Sequence, residues 1–290
     1  MNDKTAAPGR LLRVAVLAVS LIATMNATAE AEVEPFYQFR DAFAAEDLRE
    51  VDRLLDEYRR SGEPYPVDDW NTTLLHKAIH VGGKVRVQLI ERLIAAGQDV
   101  NAAAHEGATP LHMAARFGCA DCVPVLVRAG AKGSALNAGG ETPLHEAGGK
   151  VVEALLAAGA DPAARDRYGN VPLHRTFHPA LLVVGIEVRN TDGLTPLHTA
   201  ALDDSVPRLR ALLEHGADPA ARTLRPSHWR ERHMSFAFGP GYEIPAKATA
   251  LELARDRAHA TRWNRQTHAE TIALLKPVSP SPRAWWQFWR

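Results

Sequence analysis

The sequence predicts an all-α solenoid of stacked helix pairs with short hairpin loops, about seven pairs, two of them degenerate. Three observations carry this. The phrase Thr-Pro-Leu-His stands whole at Thr109–His112, Thr142–His145 and Thr195–His198. Altered copies stand at Thr73–His76, Val171–His174 and Thr249–Glu252, and the six leucines are spaced by 36, 33, 29, 24 and 54 residues. A glycine phrase trails most copies, at Gly97, Gly130, Gly159 and Gly216.

Each part of the phrase has a physical role. Thr before Pro at a helix start joins a capping hydroxyl to a residue that lacks a donor and whose φ is preset for the first turn. The Leu faces inward. The Ala one turn on (Ala78, Ala114, Ala147, Ala200) is small enough for stacked helices to approach. The second helix carries an apolar set, such as Val151, Val152, Leu155 and Leu156. The glycine stops it where a left-handed residue is needed. One helix pair cannot bury its own apolar face, so such units come in arrays.

With these residues in view, the chain resembles the ankyrin-repeat family. The period near 33, the Thr-Pro-Leu-His-x-Ala phrase and the Gly-Ala-Asp ending are that family's marks. The resemblance covers about residues 35–277. It implies that the phrase histidines His76, His112, His145, His174 and His198 hydrogen-bond the adjoining loop and tie units together. It also implies protein binding through loop tips and a concave inner-helix face.

The departures are informative. Leu111 to Gly130 takes 19 residues, but Leu144 to Gly159 takes 15 and Leu173 to Gly185 takes 12. One or both helices are expected to be short there, giving a bend or an irregular face between about Gly148 and Val188. The unit at Leu197 is regular again. The segment 222–247 intrudes before Leu251 and is the largest departure. Phe39, Ala42, Phe43, Leu48, Val51, Leu54 and Leu55 read as an opening pair, and Leu251 to Leu275 as the closing one. Polar outer faces on both suit terminal units.

Residues 1–29 read as a secretory signal peptide: Lys4, Arg10 and Arg13, the apolar run Val14–Ile22, then Ala27-Thr28-Ala29. Cleavage is expected after Ala29. It removes Asp3, Lys4, Arg10 and Arg13 and moves the net charge from 0 to −2. The expected location is the bacterial periplasm, with an inner-membrane protein anchored by an uncleaved segment as the alternative. The domain plan is then a repeat domain over 30–277, with the insertion 222–247, and a tail over 278–290. Near-neutral charge argues against a nucleic-acid partner.

Catalysis is not expected. The chain lacks a Gly-x-Ser-x-Gly, a phosphate-binding glycine loop and any metal-ligand spacing. The insertion histidines His228 and His233 keep a metal-binding or enzymatic reading as an alternative, and no cofactor is called for. Cys119 and Cys122 form a Cys-x-x-Cys at the turn between two helices. Cys122 reads as a core position, and a disulfide is left open.

The expected function is that of a monomeric, non-catalytic scaffold for an unidentified protein partner, as an inhibitor, immunity or accessory protein. Candidate contact residues are His105 and Glu106, Arg167 and Tyr168, and Asp192 at loop tips, with Trp229, Arg230, Phe236, Phe238 and Tyr242 in the insertion. Aromatic and Arg residues are the usual interface anchors. Trp285, Trp286 and Trp289 close the chain after a Pro/Ser linker. They suit packing on the last helix pair, a partner or a membrane interface, so membrane association is a further alternative.

Overall fold

The computed structural model describes residues 36–81, 83–224, 227–229, 242–244, 246–260 and 265–276. Seven stacked units run through them. The opening unit is α1 (residues 36–44) and α2 (Leu48–Ser61). The pairs α3 (Leu74–Val81) with α4 (Arg86–Ala95), and α5 (Pro110–Arg116) with α6 (Cys122–Arg128), follow. The fourth unit pairs a one-turn α7 (Pro143–Glu146) with α8 (Lys150–Ala157). The fifth keeps only 3-10 turns, at Pro172–His174 and Pro179–Val184. The array closes with α9 (Pro196–Leu202) and α10 (Val206–Glu214), then α11 (Ala250–Ala260) and α12 (Arg265–Leu275).

First helices stack on first helices: α3 on α5, α5 on α7, α7 on the turn at 172–174, that turn on α9, and α9 on α11. Second helices form a parallel row, α4 on α6 on α8, resuming as α10 on α12. Most interior side chains join into one cluster from Phe36 to Leu275, with Leu75, Leu111, Leu144, Leu173 and Leu197 all buried at equivalent places, and Leu194, Leu202, Ala248 and Leu253 form a second, smaller one. Burying each such leucine contributes about 2 kcal/mol.

The opening pair forms as its pattern predicts. Asp47 caps α2 by accepting from the Arg49 and Glu50 amides at 3.0 and 3.1 Å. Val51, Leu54 and Leu55 then face Phe39 and Phe43, while Arg53 pairs with Glu50 and Glu57 on the wet side.

The short units have a local cause. In α7 the residue after Glu146, Ala147, is already extended at ψ 150°, and Gly149 follows at φ +51°, ψ −132°. Leu144 to Gly159 is four residues shorter than Leu111 to Gly130, about one helical turn. That turn is taken from the first helix. The broken turn at 172–174 leaves the His174 carbonyl without a helical donor. Thr199 Oγ1 supplies one at 2.8 Å, and Arg208 Nη2 supplies another.

The insertion adds strand to an otherwise helical array. β1 (Ser227–Trp229) pairs antiparallel with β2 (Tyr242–Ile244), Ser227 opposite Ile244 and Trp229 opposite Tyr242. The same register already relates Arg222 to Thr249 at the root. The Arg222–Thr249 bridge and the β1–β2 pair thus share one antiparallel register.

Candidate functional site

The repeat histidines supply the geometry that aligns the loops. Each accepts at Nδ1 from the amide three residues earlier, as from Thr109 to His112 at 3.2 Å and from Val171 to His174 at 3.2 Å. Each places Nε2 against a carbonyl of the next unit: His76 on Ala108, His112 on Glu141, His145 on Asn170, His174 on Leu194 and His198 on Ala248, at 2.9–3.3 Å. A carbonyl only accepts, so Nε2 carries the proton and Nδ1 is the bare nitrogen. Burial pushes all five pKa values down, to about 4 for His174 and His198. In the last unit Glu252 stands where the histidine would be and accepts from the Thr249 amide at 2.7 Å. It caps its helix, as a closing unit requires.

The loops so placed are joined tip to tip. The His105 amide donates to the Trp70 carbonyl at 2.8 Å, Ala138 to Glu106 at 2.6 Å, Arg167 to Gly139 at 3.2 Å, and Thr191 to Tyr168 at 3.0 Å. Four loops are shaped by a side chain five residues before the Thr or Val of the phrase: Asp68, Asn137, Asp166 and Asn190 each accept two amides of their own loop. Gly140 sits at φ +72°, and a Cβ there would lie 2.9 Å from the Arg167 amide nitrogen. Only glycine meets both the backbone angle and the close approach.

Five predicted contact residues fall on this ridge. His105 and Glu106 are exposed, Arg167 is exposed, and Tyr168 and Asp192 are half-buried. The Arg167 guanidinium is engaged within the chain, donating through Nη2 to the Ala138 carbonyl. Trp229 of β1 and Tyr242 of β2 are backbone register partners. Arg230, Phe236, Phe238 and His233 lie outside the described residues, as do Ala29 and the tail with Trp285, Trp286 and Trp289. His228 lies on β1 opposite Glu243. Among the described residues no cluster of His, Cys, Asp and Glu is arranged to hold a metal ion, and no helix is long and apolar enough to cross a membrane.

The sequence reading missed Trp70. It is 61% exposed at the first tip, with its ring edge-on to His105 at 5.0 Å. Its signal was position, since it stands two residues after Asp68 as Tyr168 stands after Asp166. The reading also missed a cleft of about 690 Å³ lined by Arg116, Gly118, His145, Glu146, Gly148 and Arg175, among others. It opens beside the one-turn α7. Arg116 grips Glu146 through Nε and Nη2 at 3.2 and 2.9 Å, Arg175 reaches Glu141 at 2.5 Å, and the Asn137 amide donates to both carboxylates at 3.0 Å. The hydrogen bonds that Arg116 donates to Glu146 raise its pKa against the opposing effect of burial, so the cation persists. Cys119 and Cys122, next to Gly118, are joined by a disulfide.

Family profiles match this pattern. "Ankyrin repeats (3 copies)" matches residues 42–137 and 75–166, and "Ankyrin repeat" matches 192–224. The chain belongs to the ankyrin-repeat family. It is similar to the human B-cell lymphoma 3 protein, 37% identical over 134 residues, which is 39% of this chain and 30% of that protein. It is also similar to the mouse ankyrin repeat and SOCS box protein 16, 31% identical over 55% of this chain and 38% of that one. The Drosophila melanogaster NF-kappa-B inhibitor cactus is 31% identical over 40% of this chain and 33% of its own length. The chain thus spans between 30% and 38% of the lengths of these ankyrin-repeat relatives. The solved ankyrin repeat domain of Bcl-3 matches over 82% of this chain and 97% of that one, at 24% identity and a TM-score of 0.50, a likeness of fold.

Proposed function

We propose that this ankyrin-repeat chain is a non-catalytic scaffold that holds one protein partner against its loop ridge and inner-helix face. The observation that carries the reading is the ladder of tip-to-tip hydrogen bonds from Trp70 to Thr191. Separate loops become one preorganised surface, and preorganisation lowers the ordering cost of binding. Exposed Trp70 and His105 give that surface aromatic contacts. The Arg222–Thr249 bridge stands at the root of the insertion that follows these loops in the chain. The phrase histidines, which a catalytic reading would draw on, are occupied as donors between units. One similar protein bears the name of an inhibitor, cactus, which accords with a binding role.

Export is part of the proposal. It rests on the n-region, the apolar run and the small residues before Glu30. An inhibitor, immunity or accessory protein acting in the periplasm as a monomer is the form it takes.

The test is affinity capture from the periplasmic extract of the source organism with the mature chain, followed by reconstitution of the purified pair. Capture is repeated with residues 230–241 replaced by Asn-Gly. One stoichiometric partner, lost on Trp70→Ala with His105→Ala, is the expected result. No stoichiometric partner in periplasm, or one indifferent to both changes, contradicts it.

A further inference from the structure

The cleft beside α7 arises from a deletion. A full first helix would fill the space after Glu146; here Ala147, Gly148 and Gly149 turn away, and the floor is left with small side chains, Ala115, Ala147 and the glycines 118 and 148. Its volume of about 690 Å³ lies within the ~300–1,000 Å³ of ligand clefts.

The two ion pairs in its wall are unequal in exposure. The Glu146 side chain is 5% exposed and its partner Arg116 is 44% exposed. The Glu141 side chain is 6% exposed and its partner Arg175 is 16% exposed. In both, the carboxylate lies beneath and the guanidinium is nearer the solvent. Asn137 reinforces this by donating to both carboxylates from within the protein. Arg116 spends its Nε and Nη2 on Glu146, which leaves the Nη1 edge for a second acceptor. A planar guanidinium held on one edge is preorganised to grip a carboxylate on another.

We propose that the cleft takes an acidic side chain of a bound polypeptide, an Asp or Glu whose carboxylate meets Arg116 and Arg175 while its stem lies on the alanine and glycine floor. This rests on the scaffold reading and assigns it a specificity pocket. An acidic peptide is favoured over a polyanion such as nucleic acid because the chain as a whole is near neutral and the two carboxylates beneath the arginines limit the positive field to short range.

A displayed library of random dodecapeptides, panned against the full chain, tests this. The recovered sequences are then made as labelled peptides and titrated by fluorescence anisotropy. The expected peptides share an Asp or Glu, and its amide replacement weakens binding by roughly tenfold or more. The paired change R116Q with E146Q removes the guanidinium together with its buried counter-charge, so the fold keeps a neutral pair. It is expected to weaken the acidic peptides by a similar factor and leave the melting temperature nearly unchanged. Raised salt is expected to weaken wild-type binding and to matter less in that variant. Peptides without a shared acid, an empty selection, or equal affinity for wild type and R116Q/E146Q would each overturn the cleft. If such equally bound peptides were lost on Trp70→Ala, the scaffold reading would stand and the cleft alone would fall.

Discussion

His112 reaches 29 residues along the chain to donate from Nε2 to the Glu141 carbonyl at 2.9 Å, and the same contact recurs down the array. At its other nitrogen the ring accepts from the Thr109 amide, and that bond holds only while Nδ1 is bare. A proton on Nδ1 would replace an acceptor with a donor facing a donor.

Acid should therefore loosen the array. His174 and His198 carry folded pKa values of about 4, below an unfolded value of 6.5, for reasons led by burial. Between about pH 6.5 and 4 the unfolded chain binds more protons, so stability is present above 6.5 and is lost as pH falls toward 4. Each residue contributes on the order of 2–3 kcal/mol over that window. Melting temperature measured from pH 7.5 to 4.5 should fall steadily, and a flat profile would refute the tautomer assignment.

Removing one stitch should cost stability without touching the surface. His112→Ala leaves a cavity and removes one of the Glu141 carbonyl's two donors, the Asn137 amide remaining, for a loss of about 2–4 kcal/mol. Urea denaturation reads the loss directly. A change below 0.5 kcal/mol, about the scatter of ordinary surface substitutions, would show that neighbouring units do not depend on the contact.

The helix pairs were legible in the sequence because their causes are local, while the histidine contacts between units were expected from the resemblance to the ankyrin-repeat family. A cap, a proline at the first turn and a buried leucine repeat at a spacing that any stack must show. The cleft was not legible in the same way. The 15-residue span from Leu144 to Gly159 signals a missing turn, but which helix loses it depends on Gly149 adopting φ +51°. Arg167 shows a second contact that the sequence could not give. Its type and loop position suggest an interface anchor, yet its guanidinium is engaged with Ala138, a partner 29 residues away that only the stack brings near. The strand register from Ser227 to Trp229 likewise needed the pairing itself.

The ridge should be sensitive to one added methyl group. Gly140→Ala places a Cβ 2.9 Å from the Arg167 nitrogen at a backbone angle of +72°. Strain and the lost approach together should cost about 1–3 kcal/mol. Hydrogen exchange should report the change at the tips of the third and fourth loops first. Wild-type protection of the Arg167 amide in this variant would contradict the ladder.

The Cys119–Cys122 bond closes a short loop at the turn between α5 and α6. Loop entropy alone gives such a bond about 2 kcal/mol. The paired change C119A with C122A should lower stability by that amount or somewhat less, and a reductant should act on wild type and not on the variant. Free thiols titrated in native, oxidised protein would show that the bond does not form.

The central claim is that one face of the array, the loop ridge with the inner helices, receives a protein. Hydroxyl-radical footprinting of the purified complex against the free chain tests it most directly. Protection is predicted at Trp70, His105, Tyr168 and Phe117, the last 42% exposed at the end of the first-row helix α5, with α4, α6 and α10 as reactive as in the free chain. Protection confined to those second-row helices, with Trp70 and His105 unchanged, would contradict the account.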